Sequence, residues 1–388
     1  MNLAQRNVLL AALAAALAIP TFLQLRHDAE TFVDLASVPL LFDGFTADNV
    51  MFVTLAQPKK EQPQPDPANP QAPKVAYDQL TIQRTDKGFA FAAGDLLGAP
   101  VSKDQVENQV FAHLRAIRAD RESLVQPDAT AEQLAQFGLD EKQAFVVRAT
   151  DATQRNVLAE IFVGRDAGQG QTGTEAVRGV FVRRSDSNDV ILYEYEKGWV
   201  RSIQQDVWLD KVIARIEPDK VRKLAIKNQG TLGGTFTFER PEGKSQWAAS
   251  NAPAGLGAVR QTEVESLVQR LRYVAAQDFR MATARAGNLA ALGLAPARID
   301  VGVTWKDGDR ERTLKLAIGI QVDGKNEHYL LTNESAFVMT LPQGVVAQFE
   351  LDVPAQLFDP AAPEAPKEEG KQPEAPKDEK KGEEKKGG

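Results

Sequence analysis

Two hydrophobic periods alternate along the chain. Runs that are apolar at every second position predict strands at Val50 to Ala56 and Gln79 to Arg84, with Phe89 just beyond as a core aromatic. The same period predicts strands near Ala144 to Ala149, Val157 to Val163, Gly179 to Arg184 and Val190 to Glu194, because successive strand side chains point to opposite faces. Between these groups the period becomes helical. Val106, Val110, Leu114 and Ile117 share one stripe, and farther on so do Val264, Leu267, Leu271 and Val274. Ser102 to Gln105 and Thr262 to Glu265 each have the hydroxyl and the third-position amide or acid of a capping box, which places a helix start at both. A second, short helix is predicted from near Thr130 to Gly138, whose glycine can close it in the left-handed conformation. The short links between the last four strands predict an antiparallel meander.

The chain also aligns with itself. Leu134 to Gly164 lies without a gap on Leu289 to Gly319, from Leu134-Ala135-Gln136-Phe137-Gly138-Leu139 against Leu289-Ala290-Ala291-Leu292-Gly293-Leu294 to Ile161-Phe162-Val163-Gly164 against Leu316-Ala317-Ile318-Gly319. Upstream, Leu114-Arg115 with Ile117 and Ala119 matches Leu271-Arg272 with Val274 and Ala276. Phe45 to Val50 corresponds to Ile216 to Val221, and Leu80, Ile82 and Arg84 to Phe236, Phe238 and Arg240, with Trp247 in the place of Phe89. A period this long exceeds any solenoid unit, about 20–50 residues, so each copy is expected to be a domain with its own core.

The expected fold class is therefore α+β: two tandem homologous domains, each a mainly antiparallel sheet with one long and one short helix, behind one N-terminal transmembrane helix. Residues 1–40 form the membrane anchor and juxtamembrane segment, 41–211 the first copy, 212–359 the second, and 360–388 a disordered Pro/Glu/Lys tail. Within the first copy, residues 58–74 contain six prolines among polar side chains and read as a solvated loop.

The anchor rests on the uncharged stretch from Asn7 to Leu25, between Arg6 and Arg26. Residues 8–25, as a helix, rise roughly 27 Å, close to the hydrocarbon thickness of about 30 Å. A cleaved signal peptide is the competing reading, because Ala16-Leu17-Ala18 has the small residues of a cleavage site. The apolar run continues past that point through Phe22, Leu23 and Leu25, which favours an anchor in the inner membrane, single-pass, with the main body exported to the periplasm.

Composition narrows the function classes. At 388 residues with 43% hydrophobic content the chain can fill two cores, and its formal net charge of −7 argues against nucleic acid as a partner. There is no cysteine, which removes thiolate chemistry, disulfides and cysteine-ligated metals. Gly168-Gln169-Gly170-Gln171-Thr172-Gly173 has the letter pattern of a dinucleotide loop, but it leads into the strand pattern at Val180 and not into a helix, so no cofactor is expected. His27, His113 and His328 have no metal-ligand spacing. Asp186 with Asp189 and Asp206 with Asp210 read as a turn and a solvated terminus rather than an acid and a base. Asp48 with Asp219, Arg84 with Arg240 and Arg115 with Arg272 recur between the copies, as do Gly138 with Gly293 and Gly164 with Gly319; all read as caps, turns or structural ion pairs. No catalytic, cofactor-binding or metal residues are assigned.

Gly138-Leu139-Asp140, Ile161-Phe162-Val163-Gly164, Phe181-Val182-Arg183 and Asp206-Val207-Trp208-Leu209 resemble the bacterial family catalogued as domain of unknown function 4340. In the second copy Ala295 stands in the place of Asp140, and Pro354 in that of Trp208. The resemblance implies a membrane-anchored protein found beside auxiliary components of gliding-type ABC transporters, and carries no catalytic residues. The expectation is a non-enzymatic envelope protein acting as scaffold or accessory subunit, bound to a protein partner in an ABC-type transport or gliding-type complex. The alternative is a binding module for a cell-wall glycan or peptide, using Trp199, Trp208 or Trp247 in the cleft between the copies.

Overall fold

The computed structural model describes residues 39–61, 75–167, 179–195, 198–228, 235–250, 255–351 and 353–360. The expected membrane segment 8–25, most of the Pro-rich loop, the Gly168 to Gly173 loop and the tail from residue 361 lie outside the described residues.

Antiparallel sheet dominates. The first sheet has nine strands: β1 (Phe52–Pro58), β2 (Tyr77–Thr85), β3 (Gly88–Phe91), β4 (Pro100–Val101), β5 (Leu124–Gln126), β6 (Phe145–Thr150), β7 (Val157–Ala167), β8 (Gly179–Arg184) and β9 (Val190–Glu194). They lie in the order β4-β3-β2-β1-β6-β7-β8-β9-β5, and every pairing is antiparallel. Then come β10 (Val212–Arg215), β11 (Val221–Asn228), β12 (Thr235–Glu239), β13 (Ala248–Ala249), β14 (Leu256–Val259), β15 (Tyr273–Ala275) and β16 (Asp278–Ala282). The chain ends in β17 (Ile299–Asp307), β18 (Arg310–Gln321), β19 (Glu327–Thr332), β20 (Phe337–Pro342) and β21 (Phe358–Pro360). Eight of these form the second sheet, in the order β13-β12-β11-β17-β18-β19-β20-β16, while β10 pairs β15 and β14 pairs β21 as ribbons.

Alternation explains the strands. Along β17, Ile299, Val301, Val303 and Trp305 are buried while Asp300, Gly302 and Thr304 between them are half-buried, so the odd positions face the core. Val53, Leu55, Ile82, Val147, Ile161 and Val182 do the same in the first sheet. Each such side chain, taken from water to full burial, contributes about 1.5–3 kcal/mol. Phe111, from the helical run 103–116, closes on Phe89 of β3 with ring centroids 6.0 Å apart.

Three expectations are corrected. The helices are short: the run 103–116 is Lys103–Val106, a π-helical turn at Glu107–Phe111 and Ala112–Ala116, and its later counterpart is only Gln261–Arg270. Residues 289–293 form turns where a second copy of the Ala131–Gln136 helix was expected. Among the described residues no helix is long and apolar enough to cross a membrane, which conflicts with the expected single-pass inner-membrane placement. The chain also does not divide into two α+β domains with separate cores. One hydrophobic cluster contains Leu55 and Ile82 from the first sheet and Leu224, Ile226 and Val301 from the second. The segment between the sheets is bonded on both sides, Asp210 N–H to Pro100 O at 3.0 Å and Ile216 N–H to Arg272 O at 3.0 Å.

The capping boxes differ as well. Ser102 Oγ accepts from Gln105 N–H at 3.3 Å, and Thr130 with Gln133 forms the full reciprocal box. Thr262 caps nothing. The helix begins at Gln261 behind Arg260, and Glu265 accepts instead from Trp247 Nε1 at 3.1 Å and Arg240 at 3.2 Å, a tertiary use that replaces the local one.

Candidate functional site

The recurrent arginines are spent on backbone. Arg84 donates to Val50 O at 2.9 Å and Ala47 O at 2.8 Å, with its guanidinium 4.8 Å above the Phe89 ring. Arg240 donates to Pro218 O at 2.6 Å and Val221 O at 3.1 Å and lies 4.6 Å above Trp247. Both tie down the carbonyls around a 3-10 turn, Ala47–Asn49 and Pro218–Lys220, adding a second, charge-assisted bond to Ala47 O and Pro218 O, which already accept from Val50 N–H and Val221 N–H. Asp48 and Asp219 sit in the first turns of those helices. Arg115 bonds Phe111 O and pairs with Glu107 at 3.0 Å on its own helical run, while Arg272 is exposed.

The glycines are spent on close approach. A Cβ on Gly164 would stand 2.3 Å from Phe137 O, and one on Gly319 2.1 Å from Leu292 O. That contact exists because Arg165 N–H and Ile320 N–H bond those carbonyls, each at 3.0 Å. Gly138 and Gly293 hold the turns behind them with φ of +69° and +65°.

The histidines do not converge. His113 is buried, stacked on Trp199 at 4.5 Å and 3.0 Å from Tyr193 Oη through Nδ1. Burial holds its pKa down, at about 4, and pushes that of Tyr193 up to about 12. His328 is buried between Gly319 O and the Gln343 side chain. Asp186 pairs with Arg184, Asp189 accepts from Asp128 N–H at 3.0 Å, Asp210 accepts from Val212 N–H at 3.1 Å, and Asp206 lies in the first turn of Gln205–Trp208. Among the described residues no group of His, Asp or Glu could hold a metal ion. Trp199, Trp208 and Trp247 are 7%, 0% and 3% exposed, so none offers a face to a ligand.

Among the described residues, two of the concave features involve the second sheet. One is a cleft of about 440 Å³ between the sheets, lined by Lys103, Asp210, Arg215, Trp305, Arg312 and Glu334. Trp305 is buried beneath Arg312, whose guanidinium lies 5.4 Å from the ring and pairs with Asp307 and Glu334. The cleft's cations and carboxylates are mixed, and its aromatic face is already covered.

The other is a groove of about 530 Å³ on the outer face of the second sheet, larger than the cleft and more apolar in its lining. Ala225, Gly302, Ala317 and Leu331 make its floor, and Lys227, Asp300, Lys315 and Asn333 its rim. The registers say why it is open. Across the second sheet, Lys227, Asp300, Ala317 and Leu331 stand side by side in one row. The corresponding row of the first sheet is Ala56, Val146, Phe162 and Arg183, where the Arg183 guanidinium covers the Phe162 ring at 4.0 Å. In the next row Gly302 beside Lys315 stands where Arg148 pairs with Glu160. Burial raises the Asp300 pKa, against the pull of Lys227.

None of these residues was singled out from sequence. The signal available was the substitution of Ala317 for Phe162 inside an otherwise apolar match. The gapless alignment hid the rest: Val147 pairs Ile161 and Val301 pairs Leu316, so β17 is displaced by one residue from the expected correspondence.

Residues 96–280 match the family described as Domain of unknown function (DUF4340). The match supports the family. It runs from Leu96, ahead of β4, to Arg280 in β16, so the DUF4340 match crosses the junction between the sheets and coincides with neither 41–211 nor 212–359. No curated protein and no solved structure matches the chain.

Proposed function

We propose that the chain is a non-enzymatic accessory protein that holds a protein partner, as a subunit of an ABC-type transport or gliding-type assembly. One observation carries the binding part: most of the polar residues singled out from sequence are taken up by backbone bonds, ion pairs, stacking and turns, while among the described residues a groove on the second sheet is left open. The ABC-type context comes from the resemblance to the DUF4340 family. The glycan-binding alternative has less support, since Trp199, Trp208 and Trp247 are buried and Trp305 is covered by Arg312; sugar platforms need an accessible ring face.

Affinity purification of the full chain from its native host tests the proposal. A transporter subunit should co-purify in stoichiometric amount and persist through crosslinking and stringent washing. A chain that comes out alone under mild conditions, and hydrolyses or modifies a substrate, sinks it.

A further inference from the structure

We propose that the outer groove of the second sheet docks a segment of the partner protein that presents an aromatic side chain next to a carboxylate. This deepens the accessory-protein reading and rests on it.

The first sheet supplies the template. There, at the position of Ala317, the ring of Phe162 lies on the sheet face and packs against the small cluster of Ala129, Leu134, Leu139 and Val190. The Arg183 guanidinium then covers that ring and is itself held by Leu139 O at 3.0 Å. Thus in the first sheet the aromatic ring on this row comes from the chain itself. In the second, the row is cut back to Ala317 and Leu331, and the neighbouring row to Ala225 and Gly302. A flat floor of methyls and backbone with a half-buried leucine on one side accepts a planar ring, and burying a Phe-sized ring supplies the larger part of a docking contact.

The rim supplies the charge. Asp300 lies next to Lys227 across β11 and β17, and Lys227 favours its ionised form. That leaves Lys315. It is exposed, its backbone N–H is fixed to Asn333 Oδ1 at 2.7 Å, and its ammonium has no ion-pair partner among the described residues. A net positive charge beside an apolar floor complements an anion beside an aromatic ring. A partner segment in which Phe, Tyr or Trp is flanked by Asp or Glu has that chemistry, and a basic aromatic segment is disfavoured by the same lysine.

The test uses the full chain with alanine methyls labelled for NMR and three blocked pentapeptides: Ser-Glu-Phe-Glu-Ser, Ser-Glu-Ala-Glu-Ser and Ser-Lys-Phe-Lys-Ser. The acidic Phe peptide should shift the Ala225 and Ala317 methyls and bind at least about tenfold more tightly than its alanine version, the lower end of what burying the ring supplies. Lys315→Glu should reverse the preference between the acidic and basic Phe peptides. Ala317→Phe, which fills the groove as Phe162 fills its row, should abolish the shift at Ala225. Gly302→Thr is a second filling variant, since a Cβ there meets only Ala225 Cβ at an ordinary 3.6 Å; it decides the matter if Ala317→Phe does not fold. Unshifted Ala225 and Ala317 methyls at millimolar acidic Phe peptide, or equal binding by the filled variants, overturn the inference. Co-purification separates it from the reading beneath. A partner recovered equally by wild type and filled variants overturns the groove alone, whereas no partner on wild type overturns the accessory-protein reading.

Discussion

Lowering the pH should strip stability from the aromatic box around His113. The imidazole is buried and stacked on Trp199, and it meets the edges of Tyr193 and Tyr195 at 5.7 and 6.0 Å. Tyr193 Oη is its polar partner, while the nearby Asp166 is engaged by Arg201 at 2.6 Å. Among the described residues no carboxylate is therefore placed to stabilise an imidazolium, and burial lowers the pKa from 6.5 to about 4. The sign follows from proton binding. Between those two values the unfolded chain holds a proton that the folded chain does not, so stability is fully present above pH 6.5 and is lost as the pH falls through about 4. At about 1.4 kcal/mol per pH unit, the displacement is worth about 3 kcal/mol, of the order of a quarter to a half of a typical unfolding free energy. Urea denaturation of wild type and His113→Phe at several pH values between 7.5 and 4 isolates this from the carboxylates common to both. The variant loses the Tyr193 bond at every pH, but its deficit should shrink by about 3 kcal/mol across the range. A difference that stays flat, or that grows toward low pH, refutes the assignment of a neutral buried imidazole.

Two further substitutions test the local geometry. Gly164→Ala should cost more than about 2 kcal/mol and lower the melting temperature by several degrees, because its methyl would meet a backbone oxygen at 2.3 Å that is fixed by a hydrogen bond; a neutral result in calorimetry would refute the close approach. Thr130→Ala should cost about 1 kcal/mol through loss of its reciprocal cap, whereas Thr262→Ala should change unfolding by less than about 0.5 kcal/mol, since it lies inside its helix. Equal costs at the two positions would show that the second helix starts where the sequence pattern places it.

Strands were legible because half-buried strands leave alternation in the sequence: β8 and β9 occupy the expected Gly179 to Arg184 and Val190 to Glu194. Helix length was not legible, for a reason visible at Ile117 and Val274. Both are buried and both continue the helical stripes, yet Ile117 is already extended with ψ of 128° and Val274 belongs to β15. A buried side chain just past a helix end satisfies the same spacing as one more turn, so the stripe overruns the helix. The helix Gln261–Arg270 is ten residues, about 15 Å, and its length is set by the turn at Leu271 and Arg272 into β15. The expectation of separate cores failed for a related reason. Sequence similarity between segments describes local structure, and it is silent on whether their apolar faces close separately or against one continuous interior, as they do here.

The candidate site was hidden by the same local bias. Histidines and acidic pairs carry potential function in their own side chains and are visible one residue at a time. The groove is instead defined by what is missing: a ring at Ala317, an arginine at Gly302, a guanidinium at Leu331. Each is an ordinary strand residue when read alone, and only the cross-strand register places the three reductions on adjoining positions of one face. The displacement of β17 by one residue also matters, because a one-residue shift exchanges the two faces of a strand. Under the gapless correspondence Gly302 is set against Val147, which points into the core, and would read as a core cavity; under the observed register it is set against Arg148, on the outer face. The same substitution is thus a packing defect in one register and an opening for a partner in the other, and the hydrogen-bond ladder decides between them.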